Sequence, residues 1–360
     1  MDRRKFITTA GVAGTAAAAA TVAAPAIASS HREMTIVASW GRDFPGLGIS
    51  AQRLAARINE VSEGRIKTTY YAAGEKVGAF DVFDDVASGN SQAFISAAYY
   101  WKGKHPGFAY FCAVPFGMTT IEWNAWIKFK GGQALWDELN GEYGLKSLPA
   151  GATGTQMGGW FNKEINSLED LKGLKMRTPG FAGEVMAELG VSVTNLPPGE
   201  LYTALERGTV DAVEWVGPAL DFQMGFHQIA KYYYSGWQEP GAEVQFLINK
   251  KTWEELPKDL QEILRVAMRT AAYDMYIQST HQSGVAWDRM KEDYPDVTHK
   301  VFPPEVIDAL RSTTNRLLAE AAEDDPLAKE IIESQRDYLK QVRQWTNISD
   351  KAYLNSVAED

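Results

Sequence analysis

The chain has 360 residues, of which 45% are hydrophobic and 23% charged, so a disordered or collagen-like protein is excluded. This length exceeds the usual limit of a single hydrophobic core and favours two domains. The formal net charge is −10, from 36 basic and 46 acidic residues. Such a balance argues against a nucleic-acid partner, because a phosphate backbone requires a basic surface. A small anion can still be bound by one well-placed arginine.

The first 28 residues are predicted to be an export signal rather than part of the fold. Arg3 and Arg4 precede an Ala-rich apolar stretch, and Ala26-Ile-Ala28 matches a small-x-small cleavage pattern. The paired arginines favour the twin-arginine route across the bacterial inner membrane over an ordinary secretory signal or a short membrane anchor. No later stretch has the roughly 18 apolar residues of a transmembrane helix, so we expect a periplasmic protein.

Beyond Met34, short β-like runs alternate with helical stretches, which predicts an α/β fold with a largely parallel sheet. The predicted elements of the first part are, in chain order, a strand at 34–40, a helix at 49–61, a strand at 66–71, a helix at 80–87, a strand at 93–99, a helix at 121–139 and a Gly-rich strand at 154–161. The last of these strands is expected to cross from one lobe to another.

A second lobe repeats the pattern at smaller scale before the chain returns to the first. Its predicted elements are a capped turn at 167–170, a strand at 174–177, a helix at 183–189, an extended segment at 191–195, a helix at 198–208 and a strand at 210–215. An apolar strand at 244–248 then rejoins the first sheet, and helices follow beyond Pro257 and at 304–344. We therefore predict lobe 1 at residues 29–153 plus about 243–295, lobe 2 at 154–242, and a helical segment at about 296–360 that braces both.

Motifs for phosphate, zinc or acyl chemistry are absent from the sequence. It contains no G-x-x-x-x-G-K-[ST] loop, no G-x-G-x-x-G turn after a strand, no G-x-S-x-G elbow and no H-E-x-x-H helix. Its five histidines are isolated, and its single cysteine, Cys112, cannot form an intramolecular disulfide. These absences turn attention to polar residues within the apolar strands.

Arg177 and Glu214 each come at the end of a predicted strand of the second lobe. Ligands bind at the carboxyl ends of strands in α/β sheets, and the guanidinium fork suits a carboxylate. Gln156 and Glu239 add oxygen atoms from the crossing segments, and an all-oxygen set suits Na⁺ or Ca²⁺ rather than zinc. A metal-bridged organic acid would satisfy these charges, whereas a structural Arg–Glu pair and a plain polar cleft lining are the alternatives.

Three sequence motifs resemble those of the solute-binding proteins of tripartite ATP-independent periplasmic (TRAP) transporters: Gly158-Gly-Trp-Phe161, Leu171-Lys-Gly-Leu-Lys-Met-Arg177 and Gly208-Thr-Val-Asp-Ala-Val-Glu-Trp215. Glu214 to Pro218, Tyr232-Tyr-Tyr234 and Gly236-Trp237 are most similar to the branch that binds α-keto acids such as pyruvate with a sodium ion. The resemblance implies a two-lobed, type II-like periplasmic binding fold with the ligand cleft between the lobes. It also implies a receptor that is not an enzyme and that delivers its ligand to the small and large membrane subunits of a permease. Relatives in this branch pair into homodimers through an exchanged C-terminal helix.

The resemblance also implies roles for individual residues. Arg177 would bind the ligand carboxylate, and Tyr100 would donate its hydroxyl, although the Tyr/Trp order at 99–101 departs from the family pattern and leaves the register open by one residue. Phe181, Trp215 and Tyr100 would shape a small pocket. The cation would be surrounded by Gln156, Glu214, the Trp215 carbonyl and Glu239, with Glu243 as an alternative to Glu239.

Other ligands and another class of protein are consistent with the same residues. Within the receptor class, the alternatives are a hydroxy acid bound with Ca²⁺, and a sugar acid or dicarboxylate bound without metal. A secreted glycoside hydrolase would use Glu214 and Glu239 as its acid pair. Arg177 argues against the hydrolase, because a buried cation between the two acids would keep both ionised and leave no general acid.

Overall fold

A computed structural model describes residues 31–357, so the predicted export signal lies outside the described residues. Its strands are β1 (Arg32–Ala38), β2 (Ile66–Tyr71), β3 (Ala93–Ser96), β4 (Leu145–Ala152), β5 (Gly159–Phe161), β6 (Lys175–Arg177), β7 (Ser192–Thr194), β8 (Ala212–Val213), β9 (Tyr232–Tyr234), β10 (Glu243–Asn249) and β11 (Thr298–Lys300). Its helices are α1 (Leu47–Val61), α2 (Val82–Ala87), α3 (Gly107–Tyr110), α4 (Thr120–Phe129), α5 (Gly132–Gly141), α6 (Gly180–Glu188), α7 (Leu201–Glu206), α8 (Pro218–Met224), α9 (Lys250–Glu255), α10 (Lys258–Asp293), α11 (Pro304–Asp324), α12 (Pro326–Ile348) and α13 (Asp350–Val357).

The first sheet, which forms lobe 1, has the strand order β2-β1-β3-β10-β4. β1 runs parallel to β2 and β3, whereas β10 runs antiparallel to β3 and β4. The predicted return of the chain at 244–248 is confirmed. The sheet is mixed rather than largely parallel, because β4 ends and β10 begins at the same side, where the chain leaves for the other lobe and comes back.

The second sheet, which forms lobe 2, has the order β11-β9-β5-β8-β6-β7. β6 pairs in parallel with β7 and β8, whereas β5 is antiparallel to β8 and β9. Two details differ from the sequence prediction. The strand expected at 154–161 is regular only in β5, because the residues before it cross between the lobes. Thr298–Lys300, predicted to lie in a helical segment, pairs with Tyr232–Tyr234 at the edge of this sheet.

Long helices connect the two lobes. α10, with 36 residues, packs against β4 of lobe 1 and α8 of lobe 2. α11 packs against α6 of lobe 2, and α12 packs against α5 of lobe 1. The single helix expected at 304–344 is two helices, because Asp325 caps α12 through the Ala328 N–H and Pro326 opens it. Within residues 31–357, no helix combines the length and the apolar character needed to cross a membrane.

Much of the aromatic content is packed in the two lobe cores. In lobe 1 the Phe111 ring stacks on Trp126 and Trp136, and in lobe 2 the Trp160 ring stacks on Tyr233 with centroids 4.1 Å apart. Such pairs bury a large apolar area in a fixed geometry. They give each sheet a rigid layer from which polar side chains can be held in the cleft.

Two extended segments, residues 153–158 and 234–242, carry the chain between the lobes and lie side by side. We call this pair the hinge ribbon. The Gln156 N–H donates to the Glu239 carbonyl over 2.9 Å, and the Gly158 N–H donates to the Tyr234 carbonyl over 2.8 Å. A Cβ on Gly236 would lie only 1.8 Å from the Gln156 carbonyl oxygen. The ribbon is therefore closely packed, and its side chains face both lobes.

Candidate functional site

Arg177 is the last residue of β6, and its neighbour in the parallel strand β8 is Val213. Glu214 follows Val213 directly, so the pairing of these two strands brings Arg177 and Glu214 to the same sheet edge. The Glu214 N–H donates to the Arg177 carbonyl over 2.9 Å, which holds the register at that edge. Both side chains are buried, with 0% and 1% exposure.

The Arg177 and Glu214 side chains lie close together without a hydrogen bond between them. Arg177 Nη1 donates to the Glu214 backbone carbonyl over 2.8 Å and lies 3.6 Å from the Glu214 Oε2. The guanidinium also lies over the Trp215 ring, 5.6 Å from its centroid. Arg177 Nη2 and both carboxylate oxygens of Glu214 have no hydrogen-bond partner. The pair therefore has unused donors and acceptors in a buried place.

Gln156 and Glu239 extend the site from the hinge ribbon. The Gln156 Nε2 donates to Thr153 Oγ1 over 2.9 Å, which leaves its Oε1 without a partner. Glu239 is 3% exposed, and its Oε2 also lacks a partner. The two residues are joined through their backbones, so their free oxygens belong to one rigid unit.

Lobe 1 supplies aromatic side chains to the same place. Tyr99 and Tyr100 lie in the turn after β3, with their rings perpendicular and 4.9 Å apart. A Cβ on Gly180 of lobe 2 would lie 3.1 Å from the Tyr99 ring. The Phe44 ring of lobe 1 meets Trp215 edge-on at 5.7 Å. These contacts hold the two lobes together around Arg177 and Glu214.

The electrostatics of the site follow from two buried acids and one buried cation. Burial raises the pKa of Glu214 well above its usual value, and the nearby Glu239 raises it further, whereas Arg177 lowers it. Burial also raises the pKa of Glu239 to about 8, against the lowering effect of Arg177. One guanidinium is thus too little to keep both carboxyl groups charged, and an additional cation would favour their ionised forms.

The unpartnered oxygens form a donor set suited to a hard cation. It comprises the Gln156 Oε1, both Glu214 carboxylate oxygens and the Glu239 Oε2. Carboxylate and amide oxygens are the ligands that Na⁺ and Ca²⁺ take in proteins. Among residues 31–357 there is no group of three or more His, Cys, Asp and Glu residues placed to hold a metal. The present set needs only two acids, because an amide and the Trp215 carbonyl would complete it.

A family model described as "Bacterial extracellular solute-binding protein, family 7" matches residues 40–325. The chain belongs to this family. Its two-lobed α/β fold and long C-terminal helices are those of the TRAP periplasmic solute-binding proteins, as the sequence predicted. Family membership places this solute-binding protein in the periplasm.

Three relatives are similar to this solute-binding protein over most of their length. The monocarboxylate 2-oxoacid-binding periplasmic protein of Nostoc sp. is 39% identical over 318 residues, which is 88% of this chain and 86% of the relative. A TRAP solute-binding protein of Pseudoalteromonas atlantica, solved with bound sodium and pyruvate, is 51% identical, with a TM-score of 0.89 over 91% of this chain and 100% of the other. One from Colwellia psychrerythraea, solved with bound calcium and pyruvate, is 52% identical, with a TM-score of 0.88 over 91% and 99%.

Glu243, the alternative to Glu239, follows the hinge ribbon in the chain of this solute-binding protein. It is fully buried at the start of β10, and its N–H donates to the Cys112 carbonyl. Burial alone raises its pKa, whereas Arg177 acts on the pKa of Glu239. Both carboxylate oxygens of Glu243 also lack a partner, so the preference for Glu239 rests on the influence of Arg177 on its pKa and on its backbone hydrogen bond with Gln156.

The aromatic candidates occupy different positions around the site. Burial raises the pKa of Tyr100 to about 12, and Arg177 is the main influence that lowers it. The pKa of Tyr99 is raised well above its usual value by burial and by Glu239. Both tyrosines thus share the electrostatic surroundings of Arg177 and Glu239, where the sequence singled out one. Phe181 is buried in α6, with its ring edge-on to Tyr110 of lobe 1 at 5.6 Å.

Asp221 supports the site and was not identified from the sequence. Its Oδ1 accepts the N–H groups of Val216 and Gly217 at 3.0 and 2.9 Å, and its Oδ2 accepts from Trp160 Nε1 and the Tyr233 hydroxyl at 3.0 and 2.9 Å. These four bonds hold the turn that follows Glu214 and Trp215. The available signal was an acid in the first turn of a helix opened by Pro218, a pattern that also occurs in ordinary capped helices.

Proposed function

We propose that this protein is the extracytoplasmic receptor of a TRAP transporter and binds a small 2-oxo monocarboxylate, such as pyruvate, together with one bridging cation, Na⁺. The proposal rests on one observation above all. The buried Arg177 keeps a free donor beside the buried Glu214, whose carboxylate oxygens have no partner. A ligand carboxylate on the arginine and a cation on the acid would satisfy both groups.

The chemistry of the acid explains why a 2-oxo compound fits. Its carboxylate and adjacent carbonyl oxygen can chelate a cation on one edge while Arg177 binds the carboxylate on the other. An acid without that second oxygen loses one bond to the cation. The pyruvate-bound relatives, at 51% and 52% identity, support this choice of ligand.

The proposed cation donors are Gln156, Glu214, the Trp215 carbonyl and Glu239, and the proposed acid contacts are Arg177, Gln156, Tyr100, Glu214 and Phe181. We propose Na⁺ because the relatives were solved with either sodium or calcium, and a monovalent ion neutralises one acid without holding the ligand too tightly for release. When bound, the cation would add positive charge between the two acids and the ligand. The rest of the binding would be done by the side chains of this chain.

We further propose that the protein releases its ligand to the two membrane subunits of a TRAP permease and carries out no catalysis. The chain belongs to a family of solute-binding proteins, and a cation bound between Glu214 and Glu239 would favour their ionised forms and leave no general acid of the kind a glycosidase requires. Export by the twin-arginine route and the predicted lobe boundaries, 29–153 with about 243–295 and 154–242, are part of the same proposal.

A homodimer is proposed from the C-terminal helices. Apolar side chains stay exposed at the end of α12 and along α13: Trp345, Ile348, Tyr353, Leu354 and Val357. No residue of α13 is buried in the described chain. An apolar surface of this kind marks an interaction site, and a second copy with the same surface would cover it.

Titration calorimetry on the mature protein tests the function. Pyruvate, 2-oxobutyrate, lactate and a C4 dicarboxylate are each titrated in sodium buffer after divalent ions have been chelated. We expect micromolar or tighter binding of the 2-oxo acids. Tighter binding of lactate once calcium is restored would support the hydroxy-acid alternative, and tighter binding of the dicarboxylate would contradict the proposed ligand class.

A further inference from the structure

We infer that the cation binds before the acid, at a site that lobe 2 and the hinge ribbon form without lobe 1, and that the acid alone closes the lobes. This inference rests on the proposed function and concerns the order in which the cation and the acid bind and which of them closes the lobes. The order of binding follows from the fact that the contacts to the cation and the contacts to the acid come from different parts of the chain.

The proposed cation donors all lie outside lobe 1. Glu214 and Trp215 belong to the end of β8 in lobe 2, and Gln156 and Glu239 belong to the hinge ribbon. All are at least nine-tenths buried, and the side-chain oxygens of Gln156, Glu214 and Glu239 include unpartnered atoms. The donor set is therefore complete before any side chain from residues 31–152 arrives.

Hydrogen bonds tie the hinge ribbon to lobe 2 at this point. The Met157 N–H donates to the Val216 carbonyl over 2.8 Å, directly after Trp215. The Gln238 Nε2 donates to the Met157 carbonyl over 2.7 Å, which links the two segments of the ribbon next to Glu239. These bonds hold Gln156 and Glu239 in register with Glu214, and the ribbon is also joined to lobe 1, where the Phe116 N–H donates to the Trp237 carbonyl over 3.1 Å.

The acid, in contrast, requires both lobes. Arg177 comes from lobe 2, whereas Tyr99 and Tyr100 come from lobe 1. The Tyr99 ring packs over Gly180, three residues beyond Arg177, so the tyrosines reach the site only when the lobes are together. A ligand shifts a conformational equilibrium only by its difference in affinity for the two states. The acid would bind the closed state more tightly than the open state, whereas the cation would bind both states with similar affinity.

Charge sets the order in which the two ligands bind. Glu214 and Glu239 lie beside the place where a ligand carboxylate would meet Arg177, and two acids repel a third. A bound cation neutralises that repulsion before the acid arrives. In the reverse order three carboxyl groups would share one guanidinium in a water-poor site, and Glu214 or Glu239 would have to stay protonated until the cation arrived.

The test uses the mature protein in sodium or potassium buffer of equal ionic strength, with divalent ions chelated. Thermal unfolding reports cation binding without acid, and small-angle X-ray scattering reports closure. We expect sodium alone to raise Tm and leave the radius of gyration unchanged, and pyruvate with sodium to reduce the radius. Sodium that has no effect on Tm without pyruvate, or that closes the lobes by itself, would overturn the inference.

Two variants and one matched control separate the roles of the lobes. Glu239→Gln should abolish the sodium-only rise in Tm, and the matched control Glu243→Gln should retain it, with folding checked by circular dichroism. Tyr100→Phe should weaken pyruvate binding about fivefold or more and retain the sodium-only rise. Loss of that rise in Tyr100→Phe would place lobe 1 in the cation site and refute the order.

The outcomes distinguish the inference from the function. Sodium-dependent pyruvate binding without any response to sodium alone would leave the receptor function intact and eliminate the order. An absence of pyruvate binding in every salt would contradict both.

Discussion

Arg177 and Glu214 are the pair of residues on which the proposed binding chemistry depends. A buried ion pair repays the loss of hydration only when its remaining donors and acceptors are satisfied. Here the guanidinium has a free Nη2 and the carboxylate has two free oxygens, at 0% and 1% exposure. The pair is therefore costly on its own, and a carboxylate with its cation offsets that cost. Binding and stability should be linked at this site.

Replacing Arg177 tests that link. Arg177→Ala should weaken pyruvate binding by about 2–5 kcal/mol, the usual loss when one partner of a buried charged pair is removed. Arg177→Lys keeps the charge but loses the two-pronged geometry, so its loss should be smaller. Calorimetry measures both, with circular dichroism to confirm folding. An affinity loss below tenfold in Arg177→Ala would remove this residue from the site.

Asp221 should give the stability of the protein a pH dependence of known sign. Burial raises its pKa to about 6 from an ordinary 3.8, against the lowering effect of its four hydrogen bonds. Between those values the folded state holds a proton that the unfolded state releases, so stability falls as pH rises through this range. Above it the contribution is constant.

Urea unfolding of the wild type and Asp221→Asn at several pH values measures this effect. The free energy of unfolding of the wild type, relative to the variant, should fall by about 3 kcal/mol between roughly pH 3.8 and 6, at about 1.36 kcal/mol per unit. A difference that stays flat or rises over this range would show that the carboxyl group is ionised in the folded state throughout.

The two strand-end residues could be found from the sequence, whereas their support could not. Arg177 and Glu214 stand out because charged residues are rare at the ends of apolar strands. The role of Asp221 depends on Trp160 and Tyr233, which reach it from two other strands, and no local pattern shows that meeting. The choice between Glu239 and Glu243 likewise depends on which of the two side chains lies beside Arg177 in the folded protein.

At the scale of elements, α6 of lobe 2 contacts the turn after β3 of lobe 1. Gly180 opens α6 with φ of 66°, and a Cβ there would lie 3.1 Å from the Tyr99 ring of the other lobe. Gly173 has a similar φ of 69° but no atom within 4 Å of its Cβ position. The two glycines differ in packing but share a positive φ, which would be strained for any residue with a side chain.

Alanine at each of these glycines separates strain from closure. Both variants should lose about 1 kcal/mol of stability, because a side chain disfavours positive φ. Gly180→Ala alone should weaken pyruvate binding, by about tenfold, since its methyl group pushes against Tyr99 when the lobes close. Calorimetry and scattering measure the two effects. Equal affinities in the two variants would show that this contact does not limit closure.

Element boundaries were predictable where turn residues mark them and were missed where pairing decides them. The break between α11 and α12 has a local signal, Asp325-Pro326, which a closer reading of helix starts would find. β11 has only three residues, and it is a strand because Tyr232–Tyr234 offers it an edge. Such short edge strands depend on tertiary contacts more than on their own sequence.

At the scale of the whole molecule, the C-terminal helices differ in what they pack against. α11 and α12 fasten lobe 2 to lobe 1, whereas α13 contributes no buried side chain to its own chain. The side chains of Tyr353 and Leu354 are 65% and 63% exposed. The proposed homodimer would cover this surface with a second copy of the chain.

Truncation after Ser349 tests the role of α13. The full mature chain should behave as a dimer in light scattering after gel filtration, and the truncated chain should be a monomer with unchanged pyruvate affinity, because none of the proposed site residues belongs to α13. A full-length chain that is monomeric at high concentration would contradict the proposed homodimer.

The most direct test of the account is the sodium dependence of pyruvate affinity. The dissociation constant is measured over a hundredfold range of sodium concentration, with potassium keeping the ionic strength constant and divalent ions chelated. One sodium ion bound with each pyruvate predicts a tenfold loss of affinity for every tenfold drop in sodium below saturation. A dissociation constant that is the same at all sodium concentrations would show that Arg177 and Glu214 accommodate the acid without a cation between them.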